Sequence, residues 1–168
     1  MKHRKLGKAV AGALVASLAV QGAGAQQGAK GAKASAAKGA APEIEFLQPY
    51  GATTRPFSPA VRVGKLLFLA GQMGTSPSAA GGVVPGGISA ETKQVMENIK
   101  DVLAKVGSSM DRVVKCTVFL ADMKEWDAMN EVYKTYFQAG RYPARSAFGA
   151  SGLALNGRVE IECIATMP

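Results

Sequence analysis

Two segments with helical periodicity, separated by one apolar β-type run, constrain the fold of this chain more than any other feature. In Ser89–Val106 apolar residues recur at i, i+3 and i+4, and Gly107 is a natural stop. Lys124–Ala139 repeats the pattern with aromatic residues along one side, and Gly140 ends it. Between them, Arg112–Leu120 has the β-branched and aromatic content of a buried strand. Each helix must bury its apolar stripe, so we expect both to cover a sheet.

Strand-like runs around these helices give the expected order β-β-β-α-β-α-β-β. Glu43–Gln48 is read as a short edge strand, and Ala60–Val63 with Leu66–Ala70 is read as a hairpin around a Gly-Lys turn. The last two strands are expected within Tyr142–Glu162, joined by a turn at Asn156-Gly157. We therefore predict an α+β domain with one sheet and two helices on one face. If the other face is apolar it must also be covered, which suggests an oligomer.

Residues 1–25 have the pattern of a secretory signal peptide. Four basic residues precede the apolar run Ala9–Val20, and Ala23-Gly24-Ala25 fits a cleavage site. The run has about 12 residues, whereas a membrane-spanning helix needs roughly 20. We expect cleavage, a periplasmic or secreted location and no stable membrane insertion afterwards. Residues 26–42 lack large apolar side chains and are expected to form a disordered tether, which leaves residues 43–168 as the folded domain.

The net charge of +8 is concentrated outside the expected domain. Of the 20 lysines and arginines, four lie in residues 1–25 and three in residues 26–42, which leaves 13. All 12 aspartates and glutamates lie in residues 43–168, so the domain has a net charge of only +1. A domain that binds nucleic acid normally carries a strongly basic face. We therefore expect no nucleic-acid partner.

Cysteine and histidine usage restricts the chemistry further. Cys116 and Cys163 are the only cysteines, and each lies in an apolar strand pattern. An exported protein could pair them, but we expect two buried thiols. The only histidine, His3, lies in the predicted signal peptide, and no Cys-x-x-Cys motif occurs. We therefore expect neither a metal site nor a histidine-based catalytic site in the mature domain.

Tyr142–Glu162 holds the candidate functional side chains. It places Arg145 on one strand-like run and Glu160 and Glu162 on the next. An arginine fork can bind a carboxylate through two parallel hydrogen bonds, and a nearby glutamate can orient or deprotonate a water. The alternative is structural, with Arg145 paired to one of the glutamates across a surface hairpin. Spacing alone favours this structural ion pair.

Residues 49–167 resemble the RidA/YjgF-type reactive-intermediate (enamine/imine) deaminases. The most specific match is Pro-Ala-Arg-Ser at Pro143–Ser146 followed by Glu-Ile-Glu at Glu160–Glu162. The other matching pieces occur in the order of the family: Gly71-Gln72, Glu97-Asn98-Ile99, Val114–Leu120 and Met129–Tyr133.

The resemblance implies a chorismate-mutase-like (bacillus-type) fold and a homotrimer with clefts at the subunit interfaces. It also implies that Arg145 holds the carboxylate of the substrate and that Glu160 holds the attacking water. Gly71 and Asn130 are expected to line the same pocket. The implied reaction is hydrolysis of 2-imino acids such as 2-iminobutanoate to 2-oxo acids and ammonia, with neither a metal nor an organic cofactor.

Two positions in the expected substrate pocket depart from the family pattern. A tyrosine that the family often places there is Phe57, and a cysteine often found two residues after the arginine is Ala147. Neither change removes Arg145 or Glu160. The alternative hypothesis is a non-catalytic trimer that binds small carboxylates or a partner protein outside the cytoplasm. RNA cleavage, a name that some relatives carry, is not expected of a domain without histidine and with so little charge.

Overall fold

The structure is a computed structural model that describes residues 41–168, so the predicted signal peptide and most of the predicted tether lie outside the described residues. Within this range the chain forms seven strands and two α-helices. In chain order they are β1 Ile44–Leu47, β2 Ala60–Val63, β3 Leu66–Leu69, β4 Gln72–Met73, α1 Gly87–Lys105, β5 Val113–Leu120, α2 Trp126–Tyr133, β6 Ala144–Gly149 and β7 Val159–Thr166.

All strands belong to one mixed sheet in the order β1-β2-β3-β7-β5-β6, with β4 paired to the other end of β7. The predicted hairpin is present, because β2 and β3 pair antiparallel across a turn at Gly64. Only β5 and β6 pair in parallel among the described strands, and α2 provides the crossover that such a pair needs. This arrangement confirms the predicted α+β fold.

The hydrophobic core lies between one face of the sheet and the helices. Alternate residues of β5 and β7 are buried on this face, and Val118 and Ile161 are fully enclosed. From α1, Val95 and Ile99 fill the same core, as the helical periodicity predicted. α1 packs against α2, β4 and β7.

The second helix is shorter than the predicted Lys124–Ala139. Its α-helical part is α2, and single 3-10 turns precede and follow it at Met123–Glu125 and Lys134–Tyr136. Phe137 already has an extended backbone, so the last helical residue is Tyr136, three residues before the expected end at Ala139. The apolar stripe predicted the face that is buried but overestimated the length of the helix.

The last two strands are not the hairpin that the sequence predicted. β5 lies between them, parallel to β6 and antiparallel to β7. Residues 150–158 connect β6 to β7 through left-handed Leu155 and Asn156 rather than through a two-residue turn at Asn156-Gly157. The prediction was wrong because a local turn signal carries no information about a third strand that is remote in the sequence.

Cys116 and Cys163 form a disulfide, so the expectation of two buried thiols was also wrong. The two residues lie directly opposite each other in the β5–β7 ladder, with their Cα atoms 4.1 Å apart. They are 47 positions apart in the chain, and only the register of these two strands brings them together. Both side chains are buried in the core as predicted.

Neither α1 nor α2 is long and apolar enough to cross a membrane. Residues 41–168 also contain no group of three or more His, Cys, Asp or Glu side chains that could hold a metal ion.

Candidate active site

Arg145 is held against α2 on the helix-covered face of the sheet. Its register partner on β5 is Cys116, whose side chain points into the core, so Arg145 projects to the same side. Its Nη1 donates a hydrogen bond of 2.8 Å to Oδ1 of Asn130. The guanidinium carbon lies 4.7 Å from the ring centroid of Tyr133 and 5.1 Å from that of Trp126. Stacking and one hydrogen bond therefore fix the direction of the guanidinium.

A cavity of about 390 Å³ opens beside this arginine. Its lining includes Arg145, Asn130, Tyr133 and Tyr142. Lys134, also in the lining, is paired with Glu131 at 2.6 Å, whereas Arg145 forms no ion pair within residues 41–168. A cation that is oriented but not neutralised is suited to bind an anionic group such as a carboxylate.

Tyr133 is the least expected member of this group. Its side chain is buried, and its hydroxyl has no hydrogen-bond partner among the described residues. Burial raises the pKa of Tyr133 to about 12, although the charge of Arg145 opposes the shift. Tyr133 therefore stays neutral at ordinary pH and provides a ring surface for the guanidinium.

The aromatic side of Lys124–Ala139, which includes Trp126 and Tyr133, was expected to be core and not part of a binding site. A signal for their second role was present, because Trp126, Asn130 and Tyr133 are spaced i, i+4 and i+7 and so share one helix face. Asn130, the polar residue in the middle of that aromatic stripe, marks the position where the stripe contacts Arg145.

Glu160 lies on the opposite face of the sheet. Its neighbours in β7, Val159 and Ile161, point into the core, so Glu160 and Glu162 project from the face that the helices leave uncovered. Burial raises the pKa of Glu160, and the nearby Glu162 carboxylate raises it further. This is the opposite of the shift that pairing with an arginine would cause.

Gly71 makes room for the Glu160 carboxylate. A Cβ at position 71 would lie 2.0 Å from Oε1 of Glu160, far inside van der Waals contact. The next residues confirm the proximity, since Gln72 pairs with Ile161 and Met73 pairs with Glu160 in the β4–β7 ladder. Glycine at this position therefore permits a close approach of the carboxylate to the backbone.

Phe57 and Ala147 occupy different surroundings. The ring of Phe57 is 49% exposed and lines a cavity of about 300 Å³ that also includes Gln72, the neighbour of Gly71. Ala147 projects to the same side of β6 as Arg145 but packs against the core and is not in the lining of the Arg145 cavity. Phe57 thus lies near the backbone that follows Gly71, and Ala147 lies on the Arg145 side.

Within one chain the predicted site residues form two separate groups. Arg145 and Asn130 form the first group, with Ala147 behind them, on the helix-covered face; Glu160 and Gly71 form the second on the uncovered face. Arg145 and Glu160 do not meet, so the expected ion pair across a hairpin is wrong. The first group can bind a carboxylate, and the second offers a carboxylate whose raised pKa suits it to accept and return a proton.

Comparison with known proteins extends these observations. A sequence profile of the family described as Endoribonuclease L-PSP matches residues 49–167. The 2-iminobutanoate/2-iminopropanoate deaminase of Mus musculus is 46% identical over 110 residues, which cover 66% of this chain and 80% of the mouse protein. A RutC family protein of Pyrococcus abyssi is 41% identical over 125 residues, covering 74% of this chain and 97% of that protein.

Solved structures agree with this assignment. The crystal structure of RidA from an Antarctic Psychrobacter is 34% identical to this chain with a TM-score of 0.65, and the match covers 73% of this chain and 99% of that one. The crystal structure of yeast Mmf1 is 35% identical with a TM-score of 0.65, covering 75% and 100%. The sequence profile, the relatives and the shared fold together show that this chain belongs to the endoribonuclease L-PSP family, the family of the RidA/YjgF proteins.

Proposed function

We propose that this protein hydrolyses 2-imino acids to 2-oxo acids and ammonia without a cofactor. The observation that carries the proposal is an arginine held in a cavity by Asn130 and two aromatic rings, with no acidic partner within residues 41–168. Five relatives 40–46% identical to this chain are named 2-iminobutanoate/2-iminopropanoate deaminase, which supports the same reaction.

The substrate chemistry suits the two groups of residues. A 2-imino acid offers a carboxylate, which Arg145 binds, and an electrophilic C=N carbon next to it. The oxygen of a water that Glu160 orients adds to this carbon, and Glu160 accepts the proton that the water loses. Proton transfer to nitrogen then lets the C–N bond break, and ammonia leaves. Imines already hydrolyse in water, so orientation and one proton-transfer group are sufficient.

The two groups require two copies of the chain to act together, because they lie on opposite faces of one sheet. The uncovered face exposes apolar side chains that another copy would bury: Phe68 is 40%, Leu66 43% and Phe148 47% exposed. We propose a homotrimer, the assembly that the family resemblance implies, in which Arg145 of one copy faces Glu160 of the next.

A second function remains in competition with the first. Phe57 lacks the hydroxyl and Ala147 lacks the thiol that the family pattern often supplies at these positions. A non-catalytic trimer that binds small carboxylates or a partner protein outside the cytoplasm would retain Arg145 and its cavity and tolerate both changes. A shift in the melting temperature of the protein on addition of 2-oxo acids, without any turnover of imines, would support this alternative.

We further propose export, with residues 1–25 as the signal peptide and a periplasmic or secreted destination. The Cys116–Cys163 disulfide supports it, since disulfides persist in oxidising compartments and are rare in the cytosol. The word endoribonuclease in the description of the family does not alter the proposal, because the mature domain has no histidine and a net charge of +1.

Replacement of Arg145 tests the deaminase directly. We expect Arg145→Ala to lower kcat/KM for 2-iminobutanoate at least about a hundredfold, because a misplaced or unanchored substrate loses that much. Arg145→Lys should be nearly as damaging, since an ammonium reproduces neither the fork nor the stacking on Tyr133 and Trp126. The imine is generated from 2-aminobutanoate by an amino-acid oxidase, and semicarbazide traps whatever has not been hydrolysed.

Lys93→Ala is the charge-matched control, because Lys93 is exposed on α1 and its side chain makes no ion pair among the described residues. It should retain the activity of the unmodified protein. Turnover that is unchanged in a folded, oligomeric Arg145→Ala variant would reject the proposed role of Arg145.

A further inference from the structure

Arg55, like Arg145, has no acidic partner within residues 41–168. Its backbone N–H donates to Oγ1 of Thr53 at 3.1 Å, and its guanidinium carbon lies 5.9 Å from the ring centroid of Phe57. Nothing in the described part of the chain neutralises this charge. By contrast, Arg62 is paired with Glu45, and Arg158 is paired with Glu125.

The cavity of about 300 Å³ beside Phe57 is lined by Arg55 and contains no carboxylate. An adjoining cavity of about 630 Å³ is lined by both Arg55 and Asp101. Asp101 is already engaged, because Lys105 forms an ion pair with it and the Tyr50 hydroxyl donates to it at 2.8 Å. The Arg55 cavity is therefore a positively charged space with an aromatic wall.

This cavity borders the backbone on both sides of Gly71, whereas no residue of the Arg145 cavity lines it. Gln72 lines it, and so does Pro59, whose carbonyl accepts a hydrogen bond of 3.0 Å from the Ala70 N–H. The Glu160 carboxylate lies against Gly71 itself. In the proposed homotrimer, a substrate whose imine carbon faces Glu160, and whose own carboxylate is bound by Arg145 of another copy, would direct its side chain into this space.

We propose that Arg55 binds an anionic side chain of the substrate, so that the preferred substrates are 2-imino acids with a second carboxylate. The inference rests on the proposed deaminase function and specifies its substrate class. The reaction is unchanged: water oxygen adds to the imine carbon, the C–N bond breaks, and ammonia leaves with the hydrogens of the water, giving a 2-oxo dicarboxylate. Phe57 supports the aliphatic part of the side chain, and Arg55 binds its terminal carboxylate.

The test compares two imines in three forms of the mature chain. 2-Iminoglutarate, made from glutamate by an oxidase that accepts it, carries the second carboxylate, and 2-iminobutanoate does not. We expect Arg55→Ala to lower kcat/KM for 2-iminoglutarate about tenfold or more and to change that for 2-iminobutanoate less than about twofold. Arg55→Lys keeps the charge, so its kcat/KM for 2-iminoglutarate should lie between those of Arg55→Ala and the unmodified protein. Lys93→Ala should leave the ratio of the two substrates unchanged.

Calorimetry measures the binding of 2-oxo acids and so tests the proposal without turnover. The unmodified protein should bind 2-oxoglutarate more tightly than 2-oxobutanoate, and Arg55→Ala should remove the difference. Equal effects of Arg55→Ala on both substrates, or none on either, would overturn the proposal. If neither imine is hydrolysed faster than in buffer, the deaminase function fails, and the binding difference alone then decides whether Arg55 selects dicarboxylates.

Discussion

At the scale of single residues, the Glu160 carboxylate occupies space that is free because residue 71 is a glycine without a side chain. Gly71 lies directly against the Glu160 carboxylate, and no positive φ at Gly71 requires glycine there. The requirement is therefore for space alone. Because the carboxylate is the far end of a flexible side chain, an added methyl group at position 71 would displace it without disrupting the backbone.

We predict that Gly71→Ala lowers kcat for 2-iminobutanoate by about a hundredfold, since a displacement of about 1 Å at a reacting group has an effect of that size. Gly82→Ala is the matched control, because a Cβ at Gly82 would meet only Ala79 O at an ordinary 3.5 Å. Thermal unfolding of both variants should resemble that of the unmodified protein. Full activity in Gly71→Ala would show that Glu160 is not the proton-transfer group.

The sequence supplied the identity of these residues but not their grouping. The Pro-Ala-Arg-Ser and Glu-Ile-Glu pieces indicated Arg145 and Glu160, and the structure does bring Asn130 to Arg145 and Gly71 to Glu160. What the sequence could not indicate is that Arg145 and Glu160 point away from each other. The face of the sheet to which a strand residue points depends on the register with the strand that it pairs with. β6, which carries Arg145, and β7, which carries Glu160, both pair with β5.

At the scale of elements, β5 is the strand on which both groups depend. It pairs with β6 in parallel and with β7 antiparallel, so it separates Arg145 from Glu160 by one strand. The disulfide ties β5 to β7, and its member Cys116 is also the register partner of Arg145. Helical periodicity located α1 well, because its pattern is local, whereas the place of β5 in the sheet results from pairings remote in sequence.

The disulfide should contribute to stability rather than to catalysis. We predict that the double variant Cys116→Ala/Cys163→Ala lowers the free energy of unfolding by about 2–4 kcal/mol, because the bond closes a long loop in the unfolded chain. Urea denaturation at a fixed protein concentration measures this difference, and the unmodified protein in excess reductant should behave similarly. Two free thiols in the denatured, unreduced mature protein would contradict the disulfide.

At the scale of the whole molecule, the central claim is that one active site is built from two copies of the chain. The separation of Arg145 from Glu160 and the apolar side chains on the uncovered sheet face both support it. From the sequence, the need to cover that face indicated an oligomer, and the family resemblance implied a homotrimer with clefts at the subunit interfaces, where a second subunit completes the site. The sequence did not indicate on which face of the sheet each functional residue lies.

The most direct measurement mixes two inactive variants, Arg145→Ala and Glu160→Gln, by coexpression in equal amounts. A site that joins Arg145 of one copy to Glu160 of the next is intact when the Glu160→Gln variant supplies the arginine and the Arg145→Ala variant supplies the glutamate. With random assembly into a cyclic trimer, about a quarter of the sites meet this condition. We therefore predict recovery of about a quarter of the activity towards 2-iminobutanoate. Mixed oligomers that stay as inactive as either variant alone would contradict a shared site.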